Sequence, residues 1–383
     1  MSQWNANPPE QHWYPITGTP ANRWNNPPQP WAQVRVPRSQ PNFGSAIPPA
    51  PRQLSARPQI QFRIGQYPPY YRRPRQKKGH PLLIVGVVLL VIFLGTTLAN
   101  LLGSGDDGGG VRGIQQYQNE NYQVPQADPL PPDVPIPETF EEAKSWLLDN
   151  PIYEENLARP VRCEMVPIDL QTASKAQLAQ HMNDYTACLM RVFGPAIESA
   201  GFVAVRPTVT VYASDDIETA CGKMPSYNAA YCMADQQIYY ASNLPDIIPN
   251  YLVNQPFLVE SVLAHEFGHA VQARTGILIS ERAWEYEYRD DEQTANDYSR
   301  RTELQADCWA GQFNGSVAQS LNISDTDQRT ISELFFSLGD DQLTGESGDH
   351  GSSRNRQSWY LDGASLTNMG ACNTFTANQD KVR

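Results

Sequence analysis

The stretch Leu263-Ala264-His265-Glu266-Phe267-Gly268-His269-Ala270-Val271-Gln272 sets two imidazoles four positions apart, with a carboxylate directly after the first. On an α-helix, residues i and i+4 share a face, so His265 and His269 can offer ring nitrogens to one ion. Glu266 is turned one position round the helix, beside the ion's ligands rather than among them. A carboxylate there can take a proton from a metal-bound water, which is why H-E-x-x-H works as a unit. The plain alternative is a polar helix face that happens to match.

A catalytic zinc needs a third protein ligand and an open fourth position. Glu303 and Asp307, in Arg301-Thr302-Glu303-Leu304-Gln305-Ala306-Asp307, are again four apart on a predicted helix. Glu303 is the expected third ligand, giving one Zn2+ held by His265, His269 and Glu303. Asp307 is expected to accept the second ring N–H of a ligating histidine and fix its tautomer. Glu281, Glu285, Glu287, Asp290, Asp291 and Glu292 compete for the ligand position. They fall, however, in an acidic stretch that reads as a solvated loop without a paired acid on the same face. His350 is the candidate donor to a developing oxyanion, its bland reading being a histidine placed for structure at a helix start. Tyr360 is a weaker candidate, and His181, beside Met182 on an apolar face, reads as structural.

These side chains need rigid elements to aim them. Thr139 and Glu142 have capping-box spacing, followed by Phe140, Ala143, Trp146 and Leu147 at helical intervals. A longer helix is expected over about 174–193, interrupted by Gly194-Pro195. Alternation predicts a strand at 207–213 and a short aromatic one at 236–242, the latter a plausible edge for pairing an extended substrate. Helices are then predicted over 256–274, about 291–318, 326–338 and about 353–361. Helices, a small sheet and more helices make the class α+β, mostly helical. Cys221 and Cys232 flank a strand, which suggests a disulfide closing that loop. Six cysteines allow fifteen full pairings; Cys308–Cys372 and Cys163–Cys188 are the expected remainder.

The chain has 383 residues and a formal charge of -12, unevenly spread. Residues 1–80 carry eleven Lys/Arg against the single acid Glu10, which leaves -22 for the rest. So acidic a domain repels phosphates, and no nucleic-acid partner is expected. The tail holds 16 of the 32 prolines and no apolar period; it reads as disordered, with Pro and Trp residues that could serve a cytoplasmic partner. Residues 81–102 contain no charge, and as a helix of about 33 Å could cross a hydrocarbon core of about 30 Å. Arg72, Arg73, Arg75, Lys77 and Lys78 precede this segment, and Asp106 and Asp107 follow it. The positive-inside rule then puts the N-terminus in the cytoplasm and the C-terminal domain outside, in a single-pass membrane protein. All six cysteines lie on that outer side, where disulfides persist. Residues 103–137 read as a Gly/Pro-rich spacer and 138–383 as the folded domain.

The segments HEFGHAVQ, ELQADCWAG, LGDDQL and HGSSRNRQSW…CNTF, with ACG…YCMADQQIYY before them, resemble the bacterial putative neutral zinc metallopeptidase family over roughly residues 160–376. The resemblance implies a zincin-like fold of the gluzincin type, one zinc on His265, His269 and Glu303, and Glu266 as the catalytic carboxylate. It also implies a membrane segment ahead of the peptidase domain and a protein or peptide substrate. Met233 and Ala241 stand where the family usually has Pro and Asp, a departure on the substrate side. The expected function is a membrane-anchored extracytoplasmic zinc endopeptidase. The reading from another class is a catalytically silent envelope protein that uses the zinc site as a staple or for peptide binding.

Overall fold

The computed structural model describes residues 116–383, apart from 171, 214–216, 344, 346 and 347. The expected membrane segment at 81–102 and the basic tail lie outside the described residues. Among the described residues, no helix is long and apolar enough to cross a membrane.

From Gln116 the Pro-rich spacer runs as a strap bonded along the domain. Gln118 and Ala127 form single parallel bridges to Val161 and Arg206. Gln118 and Asp128 donate their N–H groups to Pro160 O and Arg206 O, and where prolines cannot donate a carbonyl holds the strap: Pro132 O accepts from Gln236 Nε2 at 2.8 Å and from Arg274 Nη1 at 2.7 Å. Helix α1 (Phe140–Leu148) starts at Thr139, whose hydroxyl accepts from Glu142 N. Helix α2 (Lys175–Ser199) begins with a capping box of Ser174 and Gln177. It does not stop at Gly194-Pro195 as expected. Pro195 frees the carbonyl of Arg191, and the strap satisfies it: Asn119 Nδ2 donates there at 3.0 Å. Tyr122 lies over Gly194, its hydroxyl 2.2 Å from where a Cβ would stand.

Strands β1 (Val209–Tyr212), β2 (Ile217–Thr219), β3 (Gly222–Met224), β4 (Ala229–Cys232) and β5 (Gln237–Ala241) follow. β2 and β3 make a hairpin, and the other three form a sheet in the order β1-β5-β4. β5 pairs parallel with β1 and antiparallel with β4, so the expected edge strand is the centre of the sheet. The edge beside the histidine-bearing segment 258–274 is β4, four residues buried on both faces and therefore without the alternation that marks a strand.

Helix α3 (Leu258–Arg274) carries the histidine pair and is buried along its whole length. Helix α4 (Ile277–Glu287) replaces the solvated loop expected over 281–292. Ile277, Leu278, Ser280 and Glu281 are buried, Glu285 is largely covered and paired with Arg282, and the acids after it are left to the outer face and the turn into α5 (Glu292–Leu321). The chain closes with α6 (Asp325–Ser337), the short α7 (Asp340–Leu343) and α8 (Ser353–Ser365). Residues 302–317 of α5 are all buried, between α3 on one side and α8 on the other.

Two glycine contacts set those distances. A Cβ on Gly268 would stand 3.1 Å from Ala306 Cα, so the histidine helix packs almost backbone to backbone on α5. A Cβ on Gly363 would fall 1.9 Å from Cys308 O, which brings α8 equally close on the far side. Cys163–Cys188, Cys221–Cys232 and Cys308–Cys372 are all bridged, the expected set. The domain is mostly helical with a small sheet, the α+β class expected.

Candidate metal centre

His265 and His269 project from one face of α3, their Nε2 atoms 3.1 Å apart. Glu303 reaches them from α5, with Oε2 3.3 Å from His265 Nε2 and Oε1 3.5 Å from His269 Nε2. A tetrahedral zinc with ligand bonds of 2.0–2.1 Å requires donor atoms about 3.3 Å apart. The three side chains meet that requirement with 2% exposure or less. Neither oxygen of Glu303 makes a hydrogen bond of good geometry among the described residues, and an ionised carboxylate buried so needs a facing positive charge, which a protonated histidine or a bound metal ion can supply. The donor set therefore fits a divalent ion, zinc among them.

The titration of the site points the same way. Burial works against a charge on His265, but Asp307 and Glu303 outweigh it and hold the imidazolium up at about 9. Burial pushes Glu266 up to about 8, helped by the Glu303 charge and opposed by His265. Burial also disfavours ionised Glu303, yet His269, His265 and His350 draw it well below the ordinary carboxylate range. Glu266, Glu303 and Asp307 are three carboxylates that share the field of Arg356, with Arg282 also acting on Glu303. Protons or one divalent cation can offset the excess, so metal binding here displaces protons.

Each histidine has a different outer partner. Asp307 Oδ1 stands 2.8 Å from His265 Nδ1. Arg356 grips the same carboxylate with a fork, Nε to Oδ2 at 2.8 Å and Nη2 to Oδ1 at 2.9 Å. Burial raises Asp307, but Arg356 and then His265 hold it below its ordinary value. On the other side, His269 Nδ1 lies 2.8 Å from Gln272 Oε1. Gln272 Nε2 donates to Thr302 O at 2.8 Å and to Gln305 Oε1 at 3.1 Å, which fixes the amide's orientation. Its oxygen must then accept from His269 Nδ1–H, leaving the Nε2 lone pair for an ion. Gln305 Nε2 is anchored on Cys372 O at 3.2 Å and on the Tyr153 hydroxyl at 3.0 Å.

Glu266 points from α3 to the sheet edge. Its Oε2 accepts from the backbone N–H of Tyr231 on β4 at 2.7 Å, and its Oε1 is buried without a hydrogen-bond donor among the described residues. Two imidazoles from one helix, a carboxylate from a second and Glu266 held beside them now stand together.

The family model for the putative neutral zinc metallopeptidases matches residues 169–375. The chain belongs to this family. Among its relatives is an uncharacterized protein of Mycobacterium tuberculosis, 29% identical over 231 residues, 53% of this chain and 75% of the relative. The uncharacterized protein YpfJ of Escherichia coli is 30% identical over 193 residues, 48% of this chain and 66% of its own length. No solved structure matches.

In this domain the structure brings five of the six predicted site residues into one cluster: His265, Glu266, His269, Glu303 and Asp307. His350 lies on the loop before α8, 9% exposed, with Nδ1 3.0 Å from Asp349 Oδ1 and 3.4 Å from Asp340 Oδ1. Burial opposes its charge, but Asp349, Asp340 and Glu303 lift its pKa well above 6.5. Asp340 Oδ2 holds that loop, accepting from the backbone N–H groups of Gly348, His350 and Gly351. Tyr360 is a core residue: its hydroxyl donates to Gln328 Oε1 and accepts from Asn314 Nδ2. His181 pairs with Glu260 at 2.8 Å and is absent from the cluster. Gln272, at i+3 from His269, and Gln305 were legible only as helix residues. Arg356 lies 49 positions from its partner Asp307 and gave no spacing signal.

Proposed function

We propose that the chain is a membrane-anchored zinc endopeptidase whose catalytic domain, residues 138–383, works outside the cytoplasm. The observation that carries the reading is the convergence of His265, His269 and Glu303 with Glu266 beside them. These three side chains would hold the zinc, which when bound would acidify a water, to a pKa of about 7, and polarise a carbonyl. Glu266 serves as general base, taking the proton from the attacking water and returning it to the leaving amine. Its bond from Tyr231 N–H leaves one carboxylate oxygen free to face that water. His350, held protonated by its acidic neighbours, donates to the carbonyl oxygen as negative charge builds on it.

A silent protein using zinc as a staple has no need of a buried carboxylate at Glu266, whose ionisation burial opposes. The test is cleavage of an unfolded protein by the full chain, with and without a metal chelator. Chelator-sensitive cleavage that is restored by zinc is expected. Zinc-loaded chain that leaves a range of unfolded substrates intact would favour the silent reading.

A further inference from the structure

Arg356 belongs to the motif HGSSRNRQSW, yet it touches neither the ligands nor Glu266. It is 1% exposed, and its three nitrogens are all engaged. Nε and Nη2 clasp Asp307, and Nη1 donates to Leu338 O at the end of α6 at 3.0 Å. A buried guanidinium costs several kcal/mol in desolvation unless it is paired, and a pair of apolar residues would hold α8 to α5 as well. The geometry instead places the charge on one carboxylate, whose Oδ1 also stands 2.8 Å from His265 Nδ1, an ion-pair distance. Asp307 is 0% exposed and carries no helix-capping or other structural bond beyond these two partners among the contacts described.

We infer that Arg356 is a positioning residue of the metal centre: its fork fixes the plane of Asp307, and Asp307 in turn fixes the ring of His265. A carboxylate on a short side chain can rotate about its last bond. Two parallel N–H···O bonds remove that freedom, which a single-point lysine cannot do. The chain of contact runs from α8 through α5 to α3. It is made possible by the glycine approaches on both sides of α5, at Gly363 and Gly268. The two histidines are therefore held differently, His265 by a charged fork and His269 by the neutral amides of Gln272 and Gln305. The inference rests on the metal-site reading above and deepens it.

The test uses the full chain and four proteins: unsubstituted, Asp307→Asn, Arg356→Lys, and Asp307→Asn with Arg356→Met. Zinc affinity is read by competition with a chelator, the ligand field by the visible spectrum of the cobalt-substituted chain, and folding by the melting temperature without metal. Loss of an outer partner costs about 10 to 100-fold in metal affinity. Arg356→Lys should weaken zinc by that range and alter the cobalt spectrum, as Asp307→Asn does. The double variant should bind no more weakly than Asp307→Asn alone, because the two act through one histidine. Should Arg356→Lys not fold, the double variant still decides, since replacing both members of a buried pair is tolerated better than leaving one charge alone. The inference is overturned if Arg356→Lys lowers only the melting temperature, with zinc affinity and cobalt spectrum unchanged. It is equally overturned if the double variant binds zinc more weakly than Asp307→Asn alone. An unsubstituted chain that binds no zinc would instead remove the metal reading, a failure visible before any variant is compared.

Discussion

Glu266 is fully buried, and without metal its carboxyl is pushed up to about 8 from an ordinary 4.5. Folding carries no penalty from it below about pH 4.5 and the full penalty above about pH 8. His265, lifted to about 9 from 6.5, gives stability that is complete below pH 6.5 and lost as the pH rises through 9. Both slopes have one sign. The melting temperature of the metal-free chain should fall steadily between about pH 5 and 9. Glu266→Gln removes the first slope and keeps the second, so at pH 8 the metal-free variant should be more stable than its parent by a few kcal/mol. Equal melting curves for the two across that range would contradict the burial argument. With zinc bound, the same variant should lose about 10² to 10⁴-fold in turnover. At this scale most of the site was legible: i, i+4 spacing alone identified both histidines and the Glu303/Asp307 pair. The partners behind them were not. Gln272 and Gln305 are neutral amides of which any helix has several, and Arg356 meets Asp307 only through the packing of α8 on α5.

Helix ends were legible where a side chain caps them, as at Thr139, Ser174, Ser324 and Ser352. Where tertiary contacts decide, they were not. Pro195 should have ended α2, but Asn119 and Tyr122 of the strap take up the freed carbonyl and the space over Gly194. β4 lacks alternation because both its faces are buried, so β5 was taken for the edge. The acids of 285–292 obscured α4, whose buried face is short. The contact of α3 on α5 through Gly268 is the element-scale condition for the site, because it sets how far Glu303 reaches. Gly268→Ala adds a Cβ 3.1 Å from backbone of Ala306, so the helices must part by a few tenths of an ångström. The expected cost is about 1–3 kcal/mol of stability, together with weaker zinc binding. A variant with unaltered zinc affinity would show that the approach of these helices does not govern the centre.

The whole chain divides by charge, with the basic 1–80 tail ahead of an apolar 81–102 segment and a strongly acidic remainder. The proposal that 81–102 anchors the chain and that residues 103–383 lie outside rests on that division and agrees with three bridged cysteine pairs in the domain. Protease added to intact cells should remove the C-terminal domain and spare the tail; a protected domain would reverse the topology. The strap from Gln116 to the Arg274 end of the histidine helix ties the spacer to the element that bears the site. The composition of the metal centre is tested by metal analysis of the purified full chain. One equivalent of zinc is expected in the unsubstituted chain and in Glu266→Gln, and much less in Glu303→Ala. A full equivalent retained by Glu303→Ala would place the third ligand elsewhere and contradict the site described.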